Sequence, residues 1–284
     1  MVLITWNVQW FCGVDGVVDV ARLLRAARDI ADFDILCLQE VARAYPQLPG
    51  GGADDQLARL RAALPDHSVH FGAAVDELGD DGVTRRLFGN VIASRLPVPQ
   101  IRHHALPYPA EAGIESMPRS ALAATVLAPW GPLRVVTTHL EYYSQAMRLA
   151  QVHELRRLQA EAAALARHAP APGDPAGPFR ARPHTIDCVV TGDFNAAPGS
   201  PEYLAMLAPT PDGCTPTFAD AWVARHGARA QPATFRVHDR RDGMAPIACD
   251  FVFVTDTLVS RLRDIVVDTQ TQASDHQPLC VTLD

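Results

Sequence analysis

Apolar positions along this chain recur with two periods, and the period of each run predicts whether it is a strand or a helix. Residues 2–8 form a β-branched, apolar run that predicts a strand, whereas 17–31 set Val20, Leu23, Leu24, Ala27 and Ile30 along one helical face. A further apolar run at 34–39 predicts the next strand. Asn7 lies at the end of the first run and Glu40 follows the second. The roughly 30 residues between them match one strand–helix–strand crossover, so the two strands can run parallel and present both residues at the same end of a sheet.

Pro49-Gly50-Gly51-Gly52 reads as a loop, and 54–64 as a second amphipathic helix with Leu57, Leu60 and Leu64 on its inner face. Strands are predicted at 67–74, 88–94, 121–127 and 133–138, the last two joined as a hairpin through Pro129-Trp130-Gly131-Pro132. A long helix over 144–167 is followed by a proline-rich segment, 169–184, expected to be a mobile loop. The remaining strands are predicted at 186–191, 250–255, 262–267 and 278–283. Asn7, Glu40, His139 and Asp193 then fall at the C-terminal ends of strands, Asp250 opens one and Asp275-His276 precedes one. A mixed sheet can gather them all at one edge, and a two-sheet sandwich flanked by helices satisfies the pattern.

Composition narrows the setting. A chain of 284 residues with 48% hydrophobic content can bury a large core, and 1–284 is expected to form one domain. No apolar run approaches the ~18 residues of a membrane span, so stable membrane association is not expected. The first predicted strand begins at about residue 2, which leaves no room for an export signal and implies a cytoplasmic protein. Cys37, Cys188, Cys249 and Cys280 lie in apolar runs, Cys12 and Cys214 in loops, and no Cys-x-x-Cys spacing occurs. They read as reduced packing residues rather than a disulfide frame or a zinc site. The formal charge of −7 argues against strong non-specific binding to nucleic acid while leaving room for a local basic groove.

The segment Val189-Val190-Thr191-Gly192-Asp193-Phe194-Asn195 breaks an apolar run at glycine and delivers a carboxylate and a carboxamide to its end. Thr5-Trp6-Asn7-Val8-Gln9, Leu38-Gln39-Glu40, Thr138-His139-Leu140-Glu141 and Ser274-Asp275-His276-Gln277-Pro278 do the same in kind. These motifs, in this order and with Cys249-Asp250-Phe251 before the last, resemble the endonuclease/exonuclease/phosphatase superfamily. That group includes deoxyribonuclease I, exonuclease III, inositol-polyphosphate 5-phosphatases and neutral sphingomyelinases.

The resemblance implies a four-layer, deoxyribonuclease I-like α/β sandwich and a phosphoesterase that uses Mg²⁺, with Mn²⁺ as a substitute. Glu40 resembles the principal metal ligand, with Asn7 and Asp275 beside it; Gln9 stands where some relatives carry aspartate. Asp193 resembles the residue that orients or deprotonates the attacking water, and His276 the histidine that contacts the phosphate. Either of these two takes the proton. Asp250 would hold His276 in one tautomer, His139 would stabilise the oxyanion or assist the leaving group, and Asn195 would contact water or phosphate.

Asn7 and Arg119 are candidate phosphate contacts, Arg119 competing with an ordinary surface arginine. Arg236, Arg240 and Arg241 read as a solvated basic loop at the site edge. Tyr142-Tyr143 either anchors substrate or packs beneath the long helix. The expected substrate is a phosphodiester in nucleic acid or a nucleic-acid adduct, the Thr-His-Leu-Glu motif and Arg148 resembling the 5′ tyrosyl-DNA phosphodiesterases most. A sphingomyelinase-like lipid phosphodiesterase and an inositol-phosphate phosphatase are the alternatives, and a non-catalytic binding module is the least favoured. Protein partners are not readable from the chain.

Overall fold

The computed structural model of the protein describes residues 1–51, 55–239 and 243–284. Gly52 of the glycine-rich loop, the first position of the second predicted helix, and Arg240 and Arg241 of the basic cluster lie outside the described residues. The first half contains β1 (Val2–Asn7), α1 (Val20–Ile30), β2 (Ile35–Arg43), α2 (Gln56–Ala63), β3 (Ser68–Leu78) and β4 (Arg85–Ser94). The second contains β5 (Gln100–Ala105), β6 (Ser120–Ala128), β7 (Gly131–His139), α3 (Gln145–Arg167), β8 (Cys188–Asp193), α4 (Pro201–Leu207), β9 (Phe218–Asp220), α5 (Ala221–His226) and β10 (Asp250–Thr255). The chain then returns to the first sheet with β11 (Leu262–Val267) and β12 (Leu279–Leu283).

Two six-stranded sheets result, in the orders β11-β12-β1-β2-β4-β3 and β5-β6-β7-β8-β10-β9. Each is built around one parallel pair, β1 with β2 and β7 with β8, and the other pairings are antiparallel. The parallel pairs are joined by α1 and α3, which cross the outer faces of their sheets. Both helices begin where a side chain satisfies a free backbone N–H: Asp19 accepts from Arg22, and Ser144 from Met147. The Asp19 cap explains why α1 starts at Val20, three residues later than its apolar pattern predicts.

Both faces of each sheet are buried, so the central strands read as continuous apolar runs. Leu3, Ile35, Cys37 and Ile92 of the first sheet pack against Leu122, Val135, Val189 and Val252 of the second. Residues one step along the strands point outward: Ile4, Leu36 and Val91 meet Leu23, Leu24 and Leu60 of the helices. On the other flank Val136, Val190 and Phe253 meet Val152, Leu155 and Met206. Truncating one of these fully buried leucines, such as Leu24→Ala, costs about 2–5 kcal/mol of stability.

The arrangement corrects the expectation that one sheet edge gathers the polar motifs. Asn7, Glu40 and Asp275-His276 come from the first sheet, His139, Asp193 and Asp250 from the second. They meet across the sandwich, at the end where β1, β7 and β8 all terminate. β5, β9, α4 and α5 were not predicted; β5, an edge strand of sequence QIRHHA, has one neighbour and no apolar alternation to betray it.

Candidate active site

Strand register sets the second sheet's contribution. His139 pairs with Asp193 across the parallel ladder, and Asp193 with Asp250 across the antiparallel one, so the three side chains stand in a row. Gly192 permits this close ladder: its φ is +133°, and a Cβ there would lie 1.9 Å from the Thr138 carbonyl oxygen. The first sheet uses a bulge instead. Its ladder with β4 shifts register between Leu38 and Val41, and Glu40, inside the shift, has φ of +61°. Glu40 therefore does not end its strand as predicted; β2 continues to Arg43, and the bulge turns the carboxylate toward the other sheet. Asn195 and Gln9 also have positive φ, +48° and +44°, which places three left-handed non-glycine residues among the motifs.

One half of the site balances its own charges. His276 Nδ1 lies 2.9 Å from Asp250 Oδ2, and its Nε2 lies 3.7 Å from Asp193 Oδ2. Burial opposes a charge on His276, but Asp250 and Asp193 outweigh it and hold the imidazole well above its ordinary pKa, as a cation. Asp193 is likewise buried, yet the His276 cation first, and hydrogen bonds from Asn7 and Asn195, keep its carboxyl below the usual range. The His276 ring stacks on Phe235 at 4.4 Å, and its carbonyl oxygen accepts from Trp6 Nε1.

The other half does not balance. Asn7 Nδ2 donates to both Glu40 Oε1 and Asp193 Oδ2, each at 3.0 Å, while its oxygen accepts the Gln9 N–H. In this orientation Asn7 ties two carboxylates together and presents Glu40 with an amide nitrogen, which is no metal ligand. Gln9 Nε2 donates to Asp275 Oδ2 at 2.7 Å. Burial, and then the charge of Asp275, push Glu40 up to about 7; burial raises Asp275 as well. The His276 cation lowers both without overcoming burial, and these facing carboxylates offer only oxygen donors, which fits a hard divalent cation held by Glu40 and Asp275.

His139 lies between the halves. Asn195 Nδ2 donates to the Leu140 carbonyl oxygen and lies 3.0 Å from His139 Nε2, so that nitrogen accepts and the ring proton sits on Nδ1. Burial, then Arg119, hold this imidazole down to about 3, so it is neutral. Its Nδ1 is buried without a hydrogen-bond partner, 3.7 Å from Glu40 Oε1.

Arg119 is not the surface arginine that competed with the phosphate reading. It is 7% exposed, its Nε is 3.6 Å from Glu141 Oε2, and Nε and Nη1 have no hydrogen-bond partner. It lines a cleft with Glu40, Phe88, Met117 and His139. Unpartnered guanidinium N–H groups in such a cleft suit a phosphoryl group, whose oxygens accept from them.

The structure thus brings together Asn7, Glu40, Asp193, Asn195, His139, Asp250, Asp275 and His276, with Arg119 at the edge. Sequence reasoning missed Phe235, and missed Glu141 as Arg119's partner; no local pattern marks a residue that acts by stacking or by reaching across a sheet. Arg236, read as part of a solvated loop, is buried: its guanidinium lies 4.6 Å over the Phe235 ring and donates to the Tyr142 hydroxyl. Ligand atoms of Asp193, Cys249 and His276 also lie within 4.8 Å of one another. A metal there would have to displace a proton from both the Cys249 thiol, pushed well up by burial, and the His276 cation, so the oxygen-rich Glu40 side is the better cation site. A cavity of about 330 Å³ between β5 and the 169–184 segment holds none of the motif residues.

Cys12, placed in a loop by the sequence, is buried together with Cys37, Cys188, Cys249 and Cys280; Cys214 is exposed, and all six are free. Among the described residues no helix is long and apolar enough to cross a membrane.

Comparison with known proteins follows the same lines. The model of the endonuclease/exonuclease/phosphatase family matches residues 4–276. A structure of an endonuclease/exonuclease/phosphatase from Beutenbergia cavernae is 25% identical, with a TM-score of 0.65 over 100% of this chain and 71% of its own. D. rerio TDP2 complexed with single strand DNA product is 17% identical, with a TM-score of 0.65 over 100% of this chain and 98% of its own. A mannosyl-6-phosphatase from Bacteroides thetaiotaomicron is 15% identical, with a TM-score of 0.64 over 100% and 99%. No curated protein matches the chain.

Proposed function

We propose, from the premise that this chain belongs to the endonuclease/exonuclease/phosphatase family and is a phosphoesterase of that family, that it hydrolyses phosphodiesters in nucleic acid or nucleic-acid adducts with the help of Mg²⁺ or Mn²⁺. The observation that carries the reading is the placement of Asp193, an ionised carboxylate between two imidazoles of opposite protonation state. A divalent cation, when bound by Glu40 and Asp275, supplies charge neutralisation for the phosphoryl oxygens. Asp193 accepts from a water and aims it at phosphorus; His276, already a cation, donates from Nε2 to a phosphoryl oxygen. Asp250 keeps the His276 proton count and ring angle constant. His139 donates from Nδ1 to charge that develops in the transition state, and Arg119 binds the phosphoryl group from the cleft side.

On this reading the first proton goes to Asp193, because His276 has no lone pair free to take it. The same proposal treats 1–284 as one domain, since a single core joins the two sheets. It also places the protein in the cytoplasm, where five buried thiols stay reduced.

Neighbours that share the fold include both a protein complexed with single strand DNA product and a mannosyl-6-phosphatase, so the test is a side-by-side panel. Single-stranded and duplex oligonucleotides, a 5′-tyrosyl oligonucleotide, sphingomyelin, an inositol phosphate and mannose 6-phosphate are incubated with one preparation in Mg²⁺, in Mn²⁺ and in excess chelator. Cleavage of the oligonucleotides, lost in chelator, is the expected result. Preference for the lipid or either monoester overturns the substrate; full turnover in chelator overturns the cation.

A further inference from the structure

The loop that follows His139 carries two tyrosines at the surface of the site, and we infer that they form a stacking platform for an unpaired nucleobase beside the scissile phosphate. The inference rests on the nucleic-acid reading above and narrows it to strands whose bases have a free face.

Large aromatic side chains ordinarily bury most of their surface. Tyr142 and Tyr143 are 39% and 56% exposed, and their rings meet edge to face at 4.7 Å. Their backbone is nevertheless held firmly. The buried Glu141 donates its N–H to Gln151 and accepts the Tyr143 N–H on Oε1. Arg148, braced by Glu202, donates to the carbonyl oxygens of Glu141 and Tyr142. Ser144 hydrogen-bonds Glu111 and caps α3. A loop already ordered loses little conformational entropy when it binds, and a rigid exposed ring is what stacking requires.

The platform is tied to the reacting groups on two sides. Leu140, between His139 and the loop, donates its N–H to the Asp193 carbonyl oxygen and accepts from Asn195. The Tyr142 hydroxyl accepts from Arg236, whose guanidinium covers Phe235, the ring stacked on His276. A strand with its phosphate at Asp193 therefore has an aromatic surface within reach of its next base.

Net charge favours such a surface. At −7 the chain has no excess of cations to hold a polyanion through phosphate contacts alone. Stacking is indifferent to charge and to base identity, and one stacked base changes affinity by about 5- to 150-fold. A base paired in duplex presents no free face to the rings.

The test uses the full chain with Mg²⁺ and two single strands of equal length, oligothymidylate and an all-abasic strand, read by KM and by fluorescence anisotropy. Wild type is expected to bind oligothymidylate about 5- to 150-fold more tightly than the abasic strand. Tyr142→Ala and Tyr143→Ala should each lose a large part of that preference, with the loss in KM rather than kcat. Tyr142→Phe, which keeps the ring, should restore most of it. Equal losses on both strands would mark a structural role and overturn the platform, as would no loss on either. If oligothymidylate is hydrolysed but base removal changes nothing, the platform is wrong and the nucleic-acid reading stands. If wild type hydrolyses neither strand but does hydrolyse a sugar phosphate or a lipid phosphodiester, both fall together.

Discussion

The Asp193–His276–Asp250 half of the site and the Glu40–Arg119–His139 half are built from the same kinds of residue and solve opposite problems. In the first, one buried imidazolium lies between two carboxylates, and among their fully buried side-chain atoms Asp250 Oδ1 lacks a hydrogen-bond partner. In the second, Glu40 is pushed up to about 7, and buried N–H groups of Arg119 and His139 have no hydrogen-bond partner. Buried polar groups without partners cost stability and are rare in folded proteins, so their clustering within one cleft has a functional meaning. The protein completes one half itself, and on the proposed function a cation and a phosphoryl group would complete the other. On that proposal the difference separates the groups that would activate water from those that would bind.

The largest effects should come from breaking the first half. Asp193→Asn is expected to lower kcat by about 10²–10⁴ with KM little changed, because it removes a positioned base while keeping its shape. Near-normal turnover of a folded variant, measured under saturating substrate, would remove Asp193 from the water-activating role. His276→Ala should lower the rate as much, and it should also cost ~3–5 kcal/mol of stability, since it leaves two buried carboxylates without their cation. Urea unfolding of the metal-free protein measures this, and an unchanged midpoint would mean that the charges are not coupled as their distances imply.

The second half should respond with the opposite sign. Glu40→Gln should weaken Mg²⁺ binding and activity together, yet stabilise the metal-free protein at pH 8 by ~0.5–2 kcal/mol, because a carboxylate that resists ionisation no longer has to ionise. The sign follows from the direction of the shift. Glu40 titrates near 7 in the folded protein against an ordinary 4.5, so its contribution to stability is fully present below 4.5 and lost as pH rises through 7. Destabilisation by Glu40→Gln at pH 8 without metal would contradict the comparison.

Smaller effects should sharpen it. Apparent Mg²⁺ affinity, measured by calorimetry, should rise up to tenfold per pH unit toward pH 7 and level off above it, as Glu40 gives up its proton. A flat profile would place the cation elsewhere. Arg119→Lys keeps the charge but loses the planar fork, and should raise KM by roughly tenfold while leaving the fold intact. An unchanged KM would return Arg119 to a purely structural role with Glu141.

Much of this was legible in the chain because it is local. The apolar face of α1 follows from spacing within a few turns, α3 from a run of strong helix formers, and Ser144, a side-chain acceptor ahead of that run, stands at its start. Gly192 before Asp193 also reads locally, although the reason for it, the Thr138 carbonyl oxygen on the neighbouring strand, does not. β5 escaped because an edge strand without a buried face has no pattern to read. Arg119 was ambiguous because nothing in Met117-Pro118-Arg119-Ser120 says whether the arginine faces water or a buried carboxylate.

The sequence by itself determined which chemical groups stand at the ends of which apolar runs, since periodicity and turn chemistry act over a few residues. Only the tertiary structure decided that these groups come from two sheets rather than one, that a bulge aims Glu40, and which imidazole carries charge. The physical reason is range. Desolvation and Coulomb interaction depend on distance in space, and the bond from Asn7 to Asp193 spans 186 residues of chain and 3.0 Å of protein. His139 and His276 are the same side chain, and one is held down to about 3 while the other is held well above its ordinary value solely by what folding packs around each.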